Sequence, residues 1–210
     1  MKTNIAVLVS GGGTNLQALI DAQQRGELGG GEITAVISTK EGAYALERAA
    51  KAGIPGYVVP RKAYADNRSM TQAMVAKLKE LNIQLVVLAG CMVIFTNELV
   101  DAYPNAIMNV HPALIPSFCG KGFYGLHVHE KALEKGVKLT GATVHFLNEV
   151  CDGGPIILQK AVEVQNEDTP ETLQKRVMEQ AEWKILPQAV SLFCEDRLTV
   201  EGRTVIIKEN

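Results

Sequence analysis

The sequence predicts an α/β fold: a Rossmann-like, mostly parallel twisted sheet with helices on both faces and an antiparallel C-terminal edge. Three observations predict it. Short apolar runs alternate with helical patterns through the first half, the βαβα rhythm of a parallel sheet. One run, Gln84–Ala89, is almost continuously apolar, as suits a strand buried on both faces. Beyond His111 the rhythm gives way to two longer strand-like runs joined through a turn-rich segment, which suits antiparallel pairing.

The elements follow in order. Ile5–Val9 reads as the first buried strand and Thr14 to about Arg25 as the first helix. Ile33–Ser38 and Tyr57–Val59 read as strands, with a helix over Tyr44–Lys51 between them. Asn67–Leu81 carries Met70, Met74, Val75 and Leu78 at helical spacing. Asn97–Ala102 is a short helix and Ala106–Val110 a further strand. Pro112–Gly125 holds two prolines and three glycines and is expected to be a loop. Val128–Lys135 looks helical, and Thr143–Leu147 and Ile156–Val164 look like strands at the sheet edge, joined through Asn148–Pro155. Asp168 or Thr169 caps a last long helix, Pro170 suits its first turn, and Glu171 suits the positive end of its dipole. Pro187 is expected to kink or divide that helix. Leu198–Ile207 reads as a hairpin turning at Glu201-Gly202.

The bulk numbers narrow the function. A chain of 210 residues suits one domain with a single core. Lys plus Arg is 21 and Asp plus Glu is 23, a net charge of 21 − 23 = −2, which gives no general attraction to nucleic acid or membrane. The apolar stretch near the N-terminus is short and runs into glycines, so it reads as a strand and not a targeting segment. Cys91, Cys119, Cys151 and Cys194 match neither a zinc pattern nor a redox pair. Free thiols and a cytoplasmic location are therefore expected, with no metal.

Three motifs carry chemistry. Ser10-Gly11-Gly12-Gly13-Thr14-Asn15-Leu16-Gln17 follows the first strand, and Thr14 with Gln17 fits a capping box. Glycines let the backbone approach a ligand, and a helix N-terminus offers free N–H groups to an anion. The loop is either a phosphate cradle or a tight strand-to-helix turn. It is neither a Walker motif nor GxGxxG. Asn109 and His111 stand two apart at the end of a buried strand, so they face the same side, beyond the carboxyl ends where ligands of such sheets sit. An imidazole can move protons and an amide N–H can stabilise an oxyanion. The alternative is a polar strand end that satisfies its own backbone. Asp152, in Cys151-Asp152-Gly153-Gly154-Pro155, either caps its turn or partners His111, fixing the imidazole tautomer and raising its pKa. His127 and His129 read as loop or helix-start histidines, and His145 as a hydrogen-bonded structural residue on a strand.

Taken together, GGGTNLQ, LAGCM, NVHPALIP, GLHVHEKAL, GATVHFL and CDGGPIILQ resemble the phosphoribosylglycinamide formyltransferase family, in family order, from about Asn4 to Phe193. The resemblance implies formyl transfer from 10-formyltetrahydrofolate, as co-substrate, to the amine of glycinamide ribonucleotide in purine synthesis. It implies a single formyltransferase domain over residues 1–210, with a phosphate-binding half (1–110) and a folate and catalytic half (111–210). Asn109, His111 and Asp152 match the catalytic trio. Gly13, Thr14, Asn15 and Leu16 match the loop for the substrate phosphate, Glu182 the ribose contact, and Gly90, Met92 and Pro112 the lining of the substrate amide. Arg61, Met92, Val93, Ile94 and Phe95, with Asn109 and the loop Asn148, Glu149, Val150, Cys151 and Asp152, match the folate side. Read from the residues alone, Met92–Phe95 can equally be core and Arg61 a solvated charge. Ala113 and Cys151 differ from many relatives without removing a reacting group. The partners implied are small molecules, acting on a monomer or homodimer.

Other formyl-folate enzymes are the near alternatives. A methionyl-tRNA formyltransferase is expected to add a C-terminal tRNA-binding domain, and a formyltetrahydrofolate deformylase an N-terminal regulatory domain. A non-catalytic nucleotide-binding domain is the third alternative, and the complete trio speaks against it.

Overall fold

The computed structural model describes residues 2–209. Its strands are β1 (Thr3–Val9), β2 (Gly31–Ser38), β3 (Gly56–Val58), β4 (Leu85–Leu88), β5 (Ile107–His111), β6 (Leu139–Phe146), β7 (Ile156–Glu163), β8 (Leu198–Glu201) and β9 (Thr204–Ile207). They form one sheet in the order β3-β2-β1-β4-β5-β6-β7-β9-β8. From β3 to β5 every pairing is parallel. At β6 the direction reverses, and β5–β6 and β6–β7 are antiparallel.

Alternation along β1 shows why helices are needed on both faces. Ile5, Val7 and Val9 point into one core with Leu16, Leu19 and Ile20 of α1 (Thr14–Gln24). Ala6 and Leu8 point into a second core with Met70, Met74 and Leu78 of α3 (Asn67–Glu80). The first face also receives Ala45 and Ala49 of α2 (Tyr44–Lys51), Ala132 of α5 (Leu126–Glu134), Leu173 of α6 (Pro170–Val177) and Leu186 of α7 (Trp183–Cys194). Leu99 of α4 (Asn97–Ala102) joins the second.

Four expectations are corrected. The two long C-terminal strands do not lie at the sheet edge: β6 and β7 are interior, and the terminal hairpin β8–β9 extends the sheet through the pair Ile156–Thr204. Four residues before Thr143 join β6, because Gly141 lets the backbone run against the Lys160 carbonyl where a Cβ has no room. The last helix is not divided at Pro187. It opens into a π turn at Met178–Glu182, one turn earlier, and Pro187 lies inside α7. A proline ring crowds the carbonyl four residues back, here Trp183, the first residue of α7, directly after the wide turn. Finally, Thr14 and Gln17 form no capping box. Gly13 caps α1 in a left-handed conformation (φ +72), without a side-chain bond. Gln17 instead donates to Asp21 and accepts from Arg48. The capping box over α6 does form, between Thr169 and Thr172, while Asp168 turns to Arg176.

Candidate active site

The carboxyl ends of β1, β4 and β5 open onto one cleft. The glycine loop after β1 is drawn tight. Ala45 of α2 stands where a Gly13 Cβ would be, and Arg48 donates to the Gly12 carbonyl at 2.8 Å. The first-turn N–H groups of Thr14, Asn15 and Leu16 precede the first helical bond, which runs from Gln17 N–H to the Gly13 carbonyl. Asn15 is buried and donates at 2.7 Å to Glu182, itself buried in the π turn. Burial pushes the Glu182 carboxyl up to about 7, against the smaller opposing effect of Asn15.

At the end of β5, Asn109 and His111 project to the same side, and register places Asn109 opposite His145 and His111 opposite Thr143. His145 Nδ1 lies 2.9 Å from the Phe146 carbonyl, so it carries the proton. Its Nε2 then accepts from the Asn109 amide at 3.1 Å, and this orients the amide. One Asn109 N–H remains for the cleft.

Asp152 arrives from the turn between β6 and β7, itself left-handed (φ +54). Gly153 and Gly154 are needed beside it: a Cβ on Gly154 would fall on the Phe146 carbonyl. Asp152 Oδ2 lies 3.6 Å from His111 Nδ1, and its Oδ1 lies 3.7 Å from His145 Nε2. The Gly120 N–H donates to Asp152 at 2.8 Å. Burial alone would raise the Asp152 carboxyl, yet the pull of His111 and the Gly120 N–H help to hold it below the usual carboxylate value. Burial lowers the His111 pKa, and the opposing pull of Asp152 is too weak to reverse this. Asp152 does raise the His111 pKa, as expected of a carboxylate beside an imidazole, but burial outweighs it and the net direction is downward.

A family model described as Formyl transferase matches residues 3–190. The chain belongs to the formyl transferase family. It is 42% identical over 197 residues to a phosphoribosylglycinamide formyltransferase of Haemophilus influenzae, covering 94% of this chain and 90% of that one. A glycinamide ribonucleotide transformylase 1 from Symbiobacterium toebii superposes with a TM-score of 0.93 at 42% identity, over 99% of this chain and 95% of that one. A formyltetrahydrofolate deformylase from Pseudomonas syringae pv. tomato is more distant, with 27% identity and a TM-score of 0.88, over 100% of this chain and 67% of that one.

The other residues singled out by this formyl transferase's sequence surround the cleft unevenly. Leu16 is fully buried in the core, so only its backbone faces the loop. Gly90 is left-handed (φ +72), and the Met92 N–H donates to Ser10 Oγ at 2.9 Å. Met92–Phe95 alternates: Met92 and Ile94 are exposed, while Val93 and Phe95 pack on the second core. Pro112 is half-buried directly after His111. Arg61 is not a free surface charge. It bonds Asn67 and the Tyr64 carbonyl, and Asn67 in turn donates to the Ile94 carbonyl at 3.0 Å. In the Asn148–Asp152 loop, Asn148 accepts from Val150 N–H at 3.0 Å, while Glu149, Val150 and Cys151 face outward.

His145 and the segment Phe118–Gly120 are the site features to which motif reading assigns no part in the chemistry. His145 is structural, as expected, and also belongs to the cleft through Asn109 and Asp152. The strand period shows which side His145 faces, but not that it stands opposite Asn109. Among the described residues, no three His, Cys, Asp or Glu side chains are grouped to hold a metal ion, and no helix is long and apolar enough to cross a membrane.

Proposed function

We propose that this protein transfers the formyl group of 10-formyltetrahydrofolate to the primary amine of glycinamide ribonucleotide, a step of purine biosynthesis, with Asn109, His111 and Asp152 as the reacting trio. The observation that carries the reading is the meeting of His111 and Asp152 at 3.6 Å, beside the Asn109 amide and one loop away from a helix start open to phosphate. Family membership supplies the reaction class, and the residues supply a mechanism.

The phosphate binds the N–H groups of Thr14, Asn15 and Leu16, after Gly13. The ribose hydroxyls donate to Glu182, and Gly90, Met92 and Pro112 line the amide. Exposed Met92, Ile94 and Val150 offer an apolar bed to the folate, flanked by Arg61 and the Asn148–Asp152 loop. The amine attacks the formyl carbon and an oxyanion forms. The free Asn109 N–H donates to it; one preorganised donor of this kind lowers a barrier by about 3 kcal/mol. Neutral His111 accepts the amine proton, and the resulting imidazolium is stabilised by Asp152 and adds its charge opposite the oxyanion. The C–N10 bond then breaks as the proton passes to N10.

A spectrophotometric assay with both substrates tests this. Folate product is expected only when glycinamide ribonucleotide is present, and His111→Ala should lower kcat roughly 100- to 10,000-fold with little change in either KM. Formate release without the acceptor would make the protein a hydrolase, and near-normal turnover by the variant would remove His111 from the mechanism.

A further inference from the structure

The segment Phe118–Gly120 touches both members of the reacting pair. The Phe118 carbonyl lies 2.8 Å from His111 Nε2, and the Gly120 N–H lies 2.8 Å from Asp152 Oδ2. A carbonyl can only accept, so a ring nitrogen at that distance carries the proton. His111 Nδ1 has no hydrogen-bond partner, since the 3.6 Å to Asp152 is too long for one. Nor is Nδ1 sealed, unlike both ring nitrogens of His129. The lone pair of the neutral ring is thus on the nitrogen that faces Asp152 and open space.

The backbone needed for this is strained. The strain lies at Phe118, at φ +48, whereas Gly120, at φ +87, takes a conformation that glycine adopts freely. A bulky side chain is uncommon in the left-handed region, and such conformations persist where surrounding structure over-determines them. Here the Phe118 ring packs on the first core and beside Phe123, at 6.4 Å between centroids. The ring anchors the segment, the strained backbone turns the carbonyl to His111, and two residues on the chain returns an N–H to Asp152.

We propose that Phe118 is a positioning residue of the formyl-transfer site: its carbonyl fixes the proton of neutral His111 on Nε2, which makes Nδ1 the atom that takes the amine proton. This rests on the trio proposed above. In the step, the amine N–H bond breaks as Nδ1–H forms, and Nδ1–H later breaks as N10–H forms, so His111 ends as it began. Gly120 completes the device by holding the Asp152 carboxylate toward Nδ1. The other titratable groups that act on this pair are His145 and His129 at His111, and Cys119 and Cys151 at Asp152. None of them is bonded to either His111 ring nitrogen.

Nitrogen-15 NMR of the free wild-type protein reads the tautomer directly and independently of activity. The expected result is His111 protonated on Nε2 and bare on Nδ1 at neutral pH; an Nδ1–H tautomer, or an even mixture, overturns the proposal whatever the enzyme does. Two variants test the backbone. Phe118→Asn removes the ring but tolerates the left-handed region, and Phe118→Val cannot adopt it comfortably. Phe118→Asn should keep the Nε2–H tautomer and the position of the acid limb, while the loss of the anchoring ring lowers kcat less than Phe118→Val does. Phe118→Val should mix the tautomers and lower kcat at least tenfold at similar KM values. It should also move the acid limb of kcat to lower pH, because the carbonyl that favours the protonated ring is gone. Equal losses in both variants, with the pH limb unmoved, would show that only ring packing matters and overturn the proposal. Should Phe118→Val not fold, the wild-type tautomer still decides. An Nε2–H ring in a protein that transfers no formyl group would leave the tautomer assignment standing and remove the trio.

Discussion

His129, on α5, is fully enclosed, and neither ring nitrogen finds a partner among the described residues. Burial lowers its pKa from 6.5 to about 4, with the His111 charge adding to the effect. The unfolded chain therefore binds the extra proton first, so this residue's contribution is intact above pH 6.5 and is lost as pH falls toward 4. Between pH 7 and 4.5 the loss is about 2 to 3 kcal/mol. Denaturant unfolding at the two pH values should show that drop in the wild type and a smaller one in His129→Leu; equal drops would mean that other groups set the acid limit. Glu182 runs the opposite way. Its folded pKa of about 7 lies above the ordinary 4.5, so its contribution is present below pH 4.5 and lost as pH rises through 7. Ribose hydroxyls donate best to the ionised form. The acceptor KM should therefore rise as pH falls below 7 in the wild type. In Glu182→Gln it should be higher throughout and flat with pH, and a KM that tracks pH equally in both would separate Glu182 from the ribose.

At the scale of elements, the π turn sets where Glu182 points. Pro187 supplies no N–H to the Trp183 carbonyl, and the wide turn before it rotates Glu182 toward Asn15. Pro187→Ala lets an ordinary helix run through. The expected result is a helix at least as stable and an acceptor KM raised several-fold at nearly unchanged kcat, checked by thermal unfolding and steady-state kinetics. An unchanged KM would show that the turn is held by packing and not by proline. The same element marks the boundary of what sequence can reveal. Pro187 announces a break at its own position, but the helix opens upstream of it, where the sequence Met178–Glu182 carries no sign of a wide turn. Strands were legible because burial on both faces demands continuous apolar runs, as in β4. Thr14 and Gln17 misled because Gly13 satisfies the helix start through its backbone, leaving Gln17 to Arg48, a partner from another helix. Asn109 and His111 were legible because period two is local. Their partners His145, Phe118 and Gly120 were not, since strand register and a left-handed loop are decided by tertiary contacts.

At the scale of the whole molecule, the sheet's reversal between β5 and β6 brings the proposed reacting groups together. The parallel half ends in Asn109 and His111 at the mouth of β5. A further parallel strand would carry its own crossover and leave the mouth open. The antiparallel β6 instead starts beside that mouth and runs back along β5 with His145 opposite Asn109, and the turn into β7 folds back to set Asp152 3.6 Å from His111. Gly154 permits that return, since any side chain there meets the Phe146 carbonyl. In the proposed mechanism two stretches of chain form one chemical unit, and groups that act as a unit are strongly non-additive on removal. If His111 holds the proton and Asp152 only stabilises the imidazolium, Asp152 has nothing to act on once the ring is absent. Asp152→Asn and His111→Ala should each lower kcat roughly 100- to 10,000-fold. The double variant should be no slower than His111→Ala alone, within a factor of about three. A double variant slower by the product of the two single effects would mean that the halves act independently, with Asp152 reaching the substrate without the imidazole.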